Sequence, residues 1–163
     1  MGLKVLQWNC RSLNTAASDL HNLIAFYRPD IVFLQETWLT SRDHPSFADY
    51  YAFRLGRDSS RGGLLSLIAA GLIHTAQVAF EFSSAASEIL AVQLNLSGSV
   101  LTLCNTYCPH GFQPSDDFDR LLRCHRRISA CLVISTRTTR PGTHGRSWCR
   151  LLGVDSRCWF DCD

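Results

Sequence analysis

Two residues invite chemistry by type and placement, Asn9 and Glu36. Asn9 closes the apolar run Lys4 to Trp8, and Glu36 follows the apolar run Ile31 to Leu34. If both runs are strands of one parallel sheet, a carboxamide and a carboxylate arrive side by side at a sheet edge, where α/β proteins place functional groups. Such a pair of hard oxygen donors suits a divalent cation and, through it, a phosphate. Taken alone, the signal is weak, since an Asn and a Glu at two strand ends are more often simply solvated.

The elements that must position this pair read as α/β. Lys4 to Trp8 is a short β-prone run ending in a turn. Asn14 can cap a helix in which Ala17, Leu20, Leu23 and Ile24 keep helical spacing and which stops before Arg28-Pro29. Ile31 to Leu34 is continuously apolar, as expected of a strand covered on both faces. Three further strands follow, Leu64 to Ala69 after the turn Arg61-Gly62-Gly63, Thr75 to Phe82, and Ile89 to Leu96. In the last, Ile89, Ala91, Gln93 and Asn95 alternate with Leu90, Val92, Leu94 and Leu96, which predicts a half-buried strand with one polar face. Asn95 to Val100 reads as a hairpin turn and Val100 to Tyr107 as the partner strand. Asp116 to Arg127 reads as a helix with acids in its first turn and Arg123, Arg126 and Arg127 near its end. Cys131 to Ile134 starts another strand. From Ser135 the apolar periodicity is lost, which sets a boundary between residues 1–134 and a tail of residues 135–163. The tail is expected to be poorly ordered.

Composition narrows the function. With 163 residues, 46% of them apolar and 18% charged, the chain can bury one sizeable core and is not a disordered tail. Residues 1–134 carry eleven basic and eleven acidic side chains, while the last 29 residues carry five Arg and three Asp. A globally basic nucleic-acid binder is therefore excluded. The eight cysteines include no Cys-x-x-Cys, so zinc is not indicated, and Cys104 and Cys108 read as small buried residues. No charged lead precedes a long apolar run, and no apolar stretch approaches the roughly 18 residues needed to span a bilayer. These features predict an intracellular protein, nuclear or cytoplasmic, without a membrane partner.

Two longer segments carry more than placement. Leu3-Lys4-Val5-Leu6-Gln7-Trp8-Asn9-Cys10-Arg11-Ser12-Leu13 and Arg28-Pro29-Asp30-Ile31-Val32-Phe33-Leu34-Gln35-Glu36-Thr37-Trp38-Leu39 resemble the opening of the endonuclease/exonuclease/phosphatase superfamily. The wording is closest to the apurinic-like endonuclease domain of non-LTR retrotransposons. Arg61-Gly62-Gly63-Leu64, the strand at Glu88 to Leu96, and Leu103-Cys104-Asn105-Thr106-Tyr107-Cys108-Pro109 continue the likeness in order through about Ile134. The resemblance implies a two-sheet α/β sandwich, truncated, with much of its second half missing. It implies that Glu36 binds Mg²⁺ or Mn²⁺, that Asn9 helps hold the metal and phosphate environment, and that Tyr107 lies near the scissile phosphate. It also implies DNA as the partner and, for the intact protein, the reverse transcriptase of the same element. Read without the resemblance, Tyr107 is an aromatic strand end and Asn9 a turn former. Trp8 and Trp38 are expected in the core.

The sequence also departs from the family. After the strand matched by Leu132-Val133-Ile134 the family continues with Gly-Asp-Phe-Asn, and near its end with Ser-Asp-His; neither block is present. Loss of one such group costs about 100- to 1,000-fold in rate, so this copy is expected to be inactive. Read one nucleotide earlier in phase, the codons of Ser135 to Thr139 permit Phe-Asn-Ala-His-His, which suggests an out-of-frame tail. Three other descriptions stay open. One is a catalytically dead nucleic-acid-binding module, another a relic that does not fold, and the third a different phosphodiesterase or phosphatase of the superfamily.

Overall fold

In a computed structural model of the chain, residues 3–56, 61–72, 75–84, 87–96, 99–108, 130–136 and 148–152 are described. Strand β1 (Val5–Asn9) leads into helix α1 (Leu13–Tyr27), which returns the chain to β2 (Ile31–Gln35) alongside β1. β1 and β2 pair in parallel, the arrangement that a helical crossover permits. β3 (Tyr50–Leu55) and β4 (Leu64–Ala69) complete a sheet of order β1-β2-β4-β3. A second sheet has the order β5-β6-β7-β8-β9, formed by Thr75–Ser83, Glu88–Leu96, Ser99–Tyr107, Ala130–Thr136 and Trp148–Leu152. The expected two-sheet sandwich is therefore the fold.

Each layer is held by its own apolar face. α1 lays Leu13, Ala16 and Leu20 against Val32, Leu34, Leu65 and Leu67 on the outer face of the first sheet. The opposite face of that sheet contributes Ile31, Phe33, Leu64 and Ile68 to a core shared with Leu90, Val92, Leu94, Leu101 and Leu103 of the second. β2 is thus buried on both faces, which explains why its sequence is a continuous apolar run rather than an alternating one.

Several local expectations are corrected. Asn14 does not cap α1. It is an exposed residue inside the first turn, and Ser12 occupies the cap position at φ 94° without a side-chain cap. The reason is tertiary: the Ser12 and Leu13 amides donate to the carbonyls of Glu36 (2.8 Å) and Thr37 (2.9 Å), which satisfies the helix start from the neighbouring chain segment. The C-terminus agrees with expectation, since Arg28 adopts the left-handed conformation at φ 46° and Pro29 follows.

The outer face of β6 is not polar along its length, because Ile89 and Ala91 are buried there with Cys104 beneath Phe80 and Phe82. A bulge between Val78 and Phe80 turns those two phenylalanines outward to meet them. β3 adds a strand to those expected from the sequence. It is an edge strand whose Tyr50-Tyr51-Ala52-Phe53-Arg54-Leu55 lacks a clean period of two.

Within the segment that lacked periodicity, Trp148–Leu152 pairs antiparallel with β8, which runs on to Thr136. The helix expected over Asp116 to Arg127 lies outside the described residues.

Candidate active site

The space between the sheets changes character along the strands. At one end it is filled by Ile31, Ile68, Leu94 and Leu101, and further along by Phe33, Val92 and Leu103. At the C-terminal ends of β1, β2 and β7 the same inward positions become Gln7, Asn9, Gln35, Asn105 and Tyr107. Polar residues on a buried sheet face need partners, and here they find one another across the two sheets.

Glu36 is the centre of this polar end. Continuing the alternation of β2, its side chain would leave the face that Gln35 occupies. Its φ of 52° lies in the left-handed region and breaks that alternation. The carboxylate is 7% exposed, and its Oε1 accepts from Asn9 Nδ2 at 2.9 Å and from the Tyr107 hydroxyl at 2.6 Å.

The unusual backbone is secured from both sides. Cys10 and Ser12 amides donate to the Gln35 and Glu36 carbonyls, while the Thr37 and Trp38 amides donate to Gly63 O (3.2 Å) and Gly62 O (2.9 Å). Gly63, at φ +87°, has no room for a side chain: a Cβ would sit 2.8 Å from Thr37 Oγ1. The Arg61-Gly62-Gly63 turn is therefore a clamp on the Glu36 segment as well as the entry to β4.

All three residues expected at the site thus meet on one carboxylate oxygen. Asn9 Oδ1, by contrast, is buried with no hydrogen-bond partner. An orphaned carboxamide oxygen beside a carboxylate fits a hard cation, for which both are suitable ligands. Among the described residues no three His, Cys, Asp or Glu side chains cluster into a metal cage. Glu36 and Asn9 would supply two of the oxygens around such an ion, which commonly keeps water or phosphate in its shell, the usual habit of Mg²⁺.

Neighbouring groups are structural. Burial pushes the Cys10 thiol from the ordinary 9.0 up to about 12, with the Glu36 carboxylate adding to the rise, so Cys10 stays a neutral thiol and not a nucleophile. Cys104 and Cys108 are buried as expected. Trp8 is half-buried against the helix-side core, but the core assignment of Trp38 is corrected. It is 38% exposed, two residues past Glu36, because the left-handed turns at Glu36 and Trp38 carry it off the sheet.

Two buried polar residues escaped the sequence reading. Glu88 is 1% exposed, and its Oε2 accepts the Gly63 amide at 2.8 Å. Asn105 is fully buried and spans the two sheets. Their signal was available. Glu88 shares the inward parity of Leu90, Val92 and Leu94, and Asn105 that of Leu101 and Leu103, so each is a polar residue at a core-facing strand position.

Comparison with known proteins bears on the fold that carries this arrangement. The family model described as Endonuclease/Exonuclease/phosphatase family matches residues 6–127. No curated protein sequence matches the chain. Among solved structures the chain is similar to the 3′ phosphatase NExo from Neisseria bound to a product DNA hairpin, at 18% identity and a TM-score of 0.56 over 82% of this chain and 57% of that one. It is similar to an AP endonuclease from Archaeoglobus fulgidus at 19% identity and a TM-score of 0.53, over 82% and 56%. A truncated Caenorhabditis elegans TDP2 aligns at 15% identity and a TM-score of 0.55, over 93% and 83%. These likenesses are of fold, and the chain spans less than two thirds of the length of the first two proteins.

Proposed function

This chain belongs to the endonuclease/exonuclease/phosphatase family, and we propose that it corresponds to the N-terminal part of a metal-dependent DNA endonuclease. The activity is phosphodiester hydrolysis of the kind that nicks target sites for non-LTR retrotransposons, with the reverse transcriptase of the same element as partner of the intact protein. The observation that carries the reading is the convergence of Asn9 and Tyr107 on Glu36 Oε1, with Asn9 Oδ1 left as an unused oxygen donor. DNA as substrate is supported by the product hairpin bound to the Neisseria relative.

In this reading Glu36 and Asn9 hold Mg²⁺ or Mn²⁺. The ion would supply charge neutralisation at the phosphate and at the departing oxyanion. Asn9 orients the carboxylate through Nδ2 while offering Oδ1. The Tyr107 hydroxyl fixes the same carboxylate oxygen from the second sheet. Burial of the site keeps these hydrogen bonds out of competition with water and so strengthens them.

The chain as written is proposed to be inactive. The end of β8 reaches the register of Tyr107 at Thr136. There the family resemblance calls for Gly-Asp-Phe-Asn, and the sequence has Ser135-Thr136-Arg137-Thr138. A DNA nucleotide sequence that reads Gly-Asp-Phe-Asn across this point in another phase would support a frameshifted tail; one that cannot encode it would remove that explanation.

Two assays test the function. Supercoiled plasmid with Mg²⁺ or Mn²⁺ is expected to stay intact, and nicking that disappears on Glu36→Ala would overturn inactivity. Terbium, as a luminescent oxygen-seeking stand-in, is expected to bind the wild type and to lose sensitised emission in Glu36→Ala; equal emission from both would remove the metal site.

A further inference from the structure

We infer that Asn105 is a positioning residue, which sets the Tyr107–Glu36 contact by locking the second sheet to the first at the Leu34–Leu65 strand pair. This inference rests on the metal-site reading above and adds a residue to it. Tyr107 belongs to the second sheet and Glu36 to the first, so their 2.6 Å hydrogen bond depends on the sheets being held in one relative position. Apolar packing between Leu90, Leu103 and Phe33 is non-directional and tolerates small slides. A hydrogen-bonded group does not.

Asn105 supplies the directional lock. Its Nδ2 donates to Leu34 O and to Leu65 O at 3.1 Å each, with Ser66 Oγ at 3.4 Å, and its Oδ1 accepts from Gln35 Nε2 at 2.6 Å. Leu34 and Leu65 are direct partners in the β2–β4 ladder, so one amide grips the middle of the first sheet at two strands. Gln35 extends the grip to β1, where Gln7 Nε2 donates to Gln35 Oε1 at 3.4 Å. Asn105 and Gln35 are both fully buried.

The lever arm from this lock to the site is short on both sides. Tyr107 lies two residues beyond Asn105 on the same strand face, and Glu36 is the residue after Gln35. A buried amide with its hydrogen bonds met specifies one arrangement, and an apolar replacement leaves the carbonyls of Leu34 and Leu65 without this donor. Outer-layer groups that hold a metal ligand in place commonly change metal affinity by about 10- to 100-fold when removed.

The test reads Tyr107 directly and without metal. The chain is labelled with ¹³C at the tyrosine ring carbon bearing the hydroxyl, and the Tyr107 resonance is identified by its loss in Tyr107→Phe. Tyr50, whose hydroxyl donates to Pro29 O at 2.6 Å, reports whether the rest of the first sheet is intact. Asn105→Leu is expected to move the Tyr107 resonance toward its position in Glu36→Ala while Tyr50 stays in place. Gln35→Met, which removes the bonds to Asn105 and Gln7 and keeps the volume, is expected to move it part of the way and decides the matter if Asn105→Leu does not fold.

Terbium affinity is expected to fall about tenfold in either variant. A Tyr107 resonance that stays at its wild-type position in the folded variant, while Glu36→Ala moves it, overturns the positioning role and leaves the site itself standing. A resonance that does not respond to Glu36→Ala removes the contact, and with it the proposed function.

Discussion

At the scale of single residues, the site is built on backbone that a free chain would avoid. Glu36 at φ 52° carries a side chain in the left-handed region, which costs a non-glycine residue about 1 kcal/mol. Replacement by Gly removes that strain and replacement by Ala does not, while both delete the carboxylate. Glu36→Gly is therefore expected to be more stable than Glu36→Ala by about 1 kcal/mol in urea unfolding; equal midpoints would mean the turn is relaxed in solution. The opposite substitution should damage the clamp. Gly63→Ala places a methyl 2.8 Å from Thr37 Oγ1 at φ +87°, and a loss of about 1–3 kcal/mol is expected in the same assay. Cys10 gives the pH dependence. Because burial raises its thiol from 9.0 to about 12 in the folded chain, the unfolded chain releases this proton first. The stabilisation is complete below pH 9 and is lost as pH rises towards 12, at up to about 1.4 kcal/mol per unit. Unfolding measured from pH 8 to 10.5 should show that slope, and Cys10→Ala should reduce it, leaving the part that comes from Tyr50, whose hydroxyl is also pushed up by burial.

At the scale of elements, a strand's face decides what each residue can do. Leu20 of α1 is fully buried against the first sheet, whereas Phe26 near the same helix's end is 79% exposed. Leu20→Ala is expected to destabilise by about 2–5 kcal/mol and Phe26→Ala by no more than about 0.5 kcal/mol; similar losses in urea titrations would contradict the assigned helix face. The main strands were legible because β2 is an unbroken apolar run and β6 and β7 flank a hairpin. Asn9 and Glu36 were legible because each follows such a run, and Tyr107 became legible only through the family resemblance. Other features lay beyond any local pattern. The start of α1 is set by carbonyls of residues 36 and 37, the exposure of Trp38 by left-handed turns, and the outer face of β6 by a bulge in β5. Each depends on a partner distant in sequence, and local spacing carries no trace of it. Asn105 and Glu88 were visible as polar residues at inward positions, but their partners become identifiable only once the two sheets face each other.

At the scale of the whole molecule, the question is whether two sheets from a chain of this length make one cooperative unit or a relic that does not hold together. The core answers in structural terms, because Ile31, Phe33, Leu64 and Ile68 of one sheet share a single buried cluster with Leu90, Val92, Leu94, Leu101 and Leu103 of the other. Neither sheet can expose that face without exposing its partner's, so opening one should open both. Ile31→Val removes one methylene from the shared cluster and is expected to lower stability by about 1 kcal/mol. Native-state hydrogen exchange should register the loss equally in the amides of β2, where the change is made, and of β6, across the interface. Protection that falls in β2 alone would divide the molecule into two independent sheets. No protection in either strand of the unmodified chain would make it a non-folding relic. Equal loss in both ties the site to the whole fold: Glu36 and Tyr107 come from opposite sheets, so their contact can persist only while the shared core is closed.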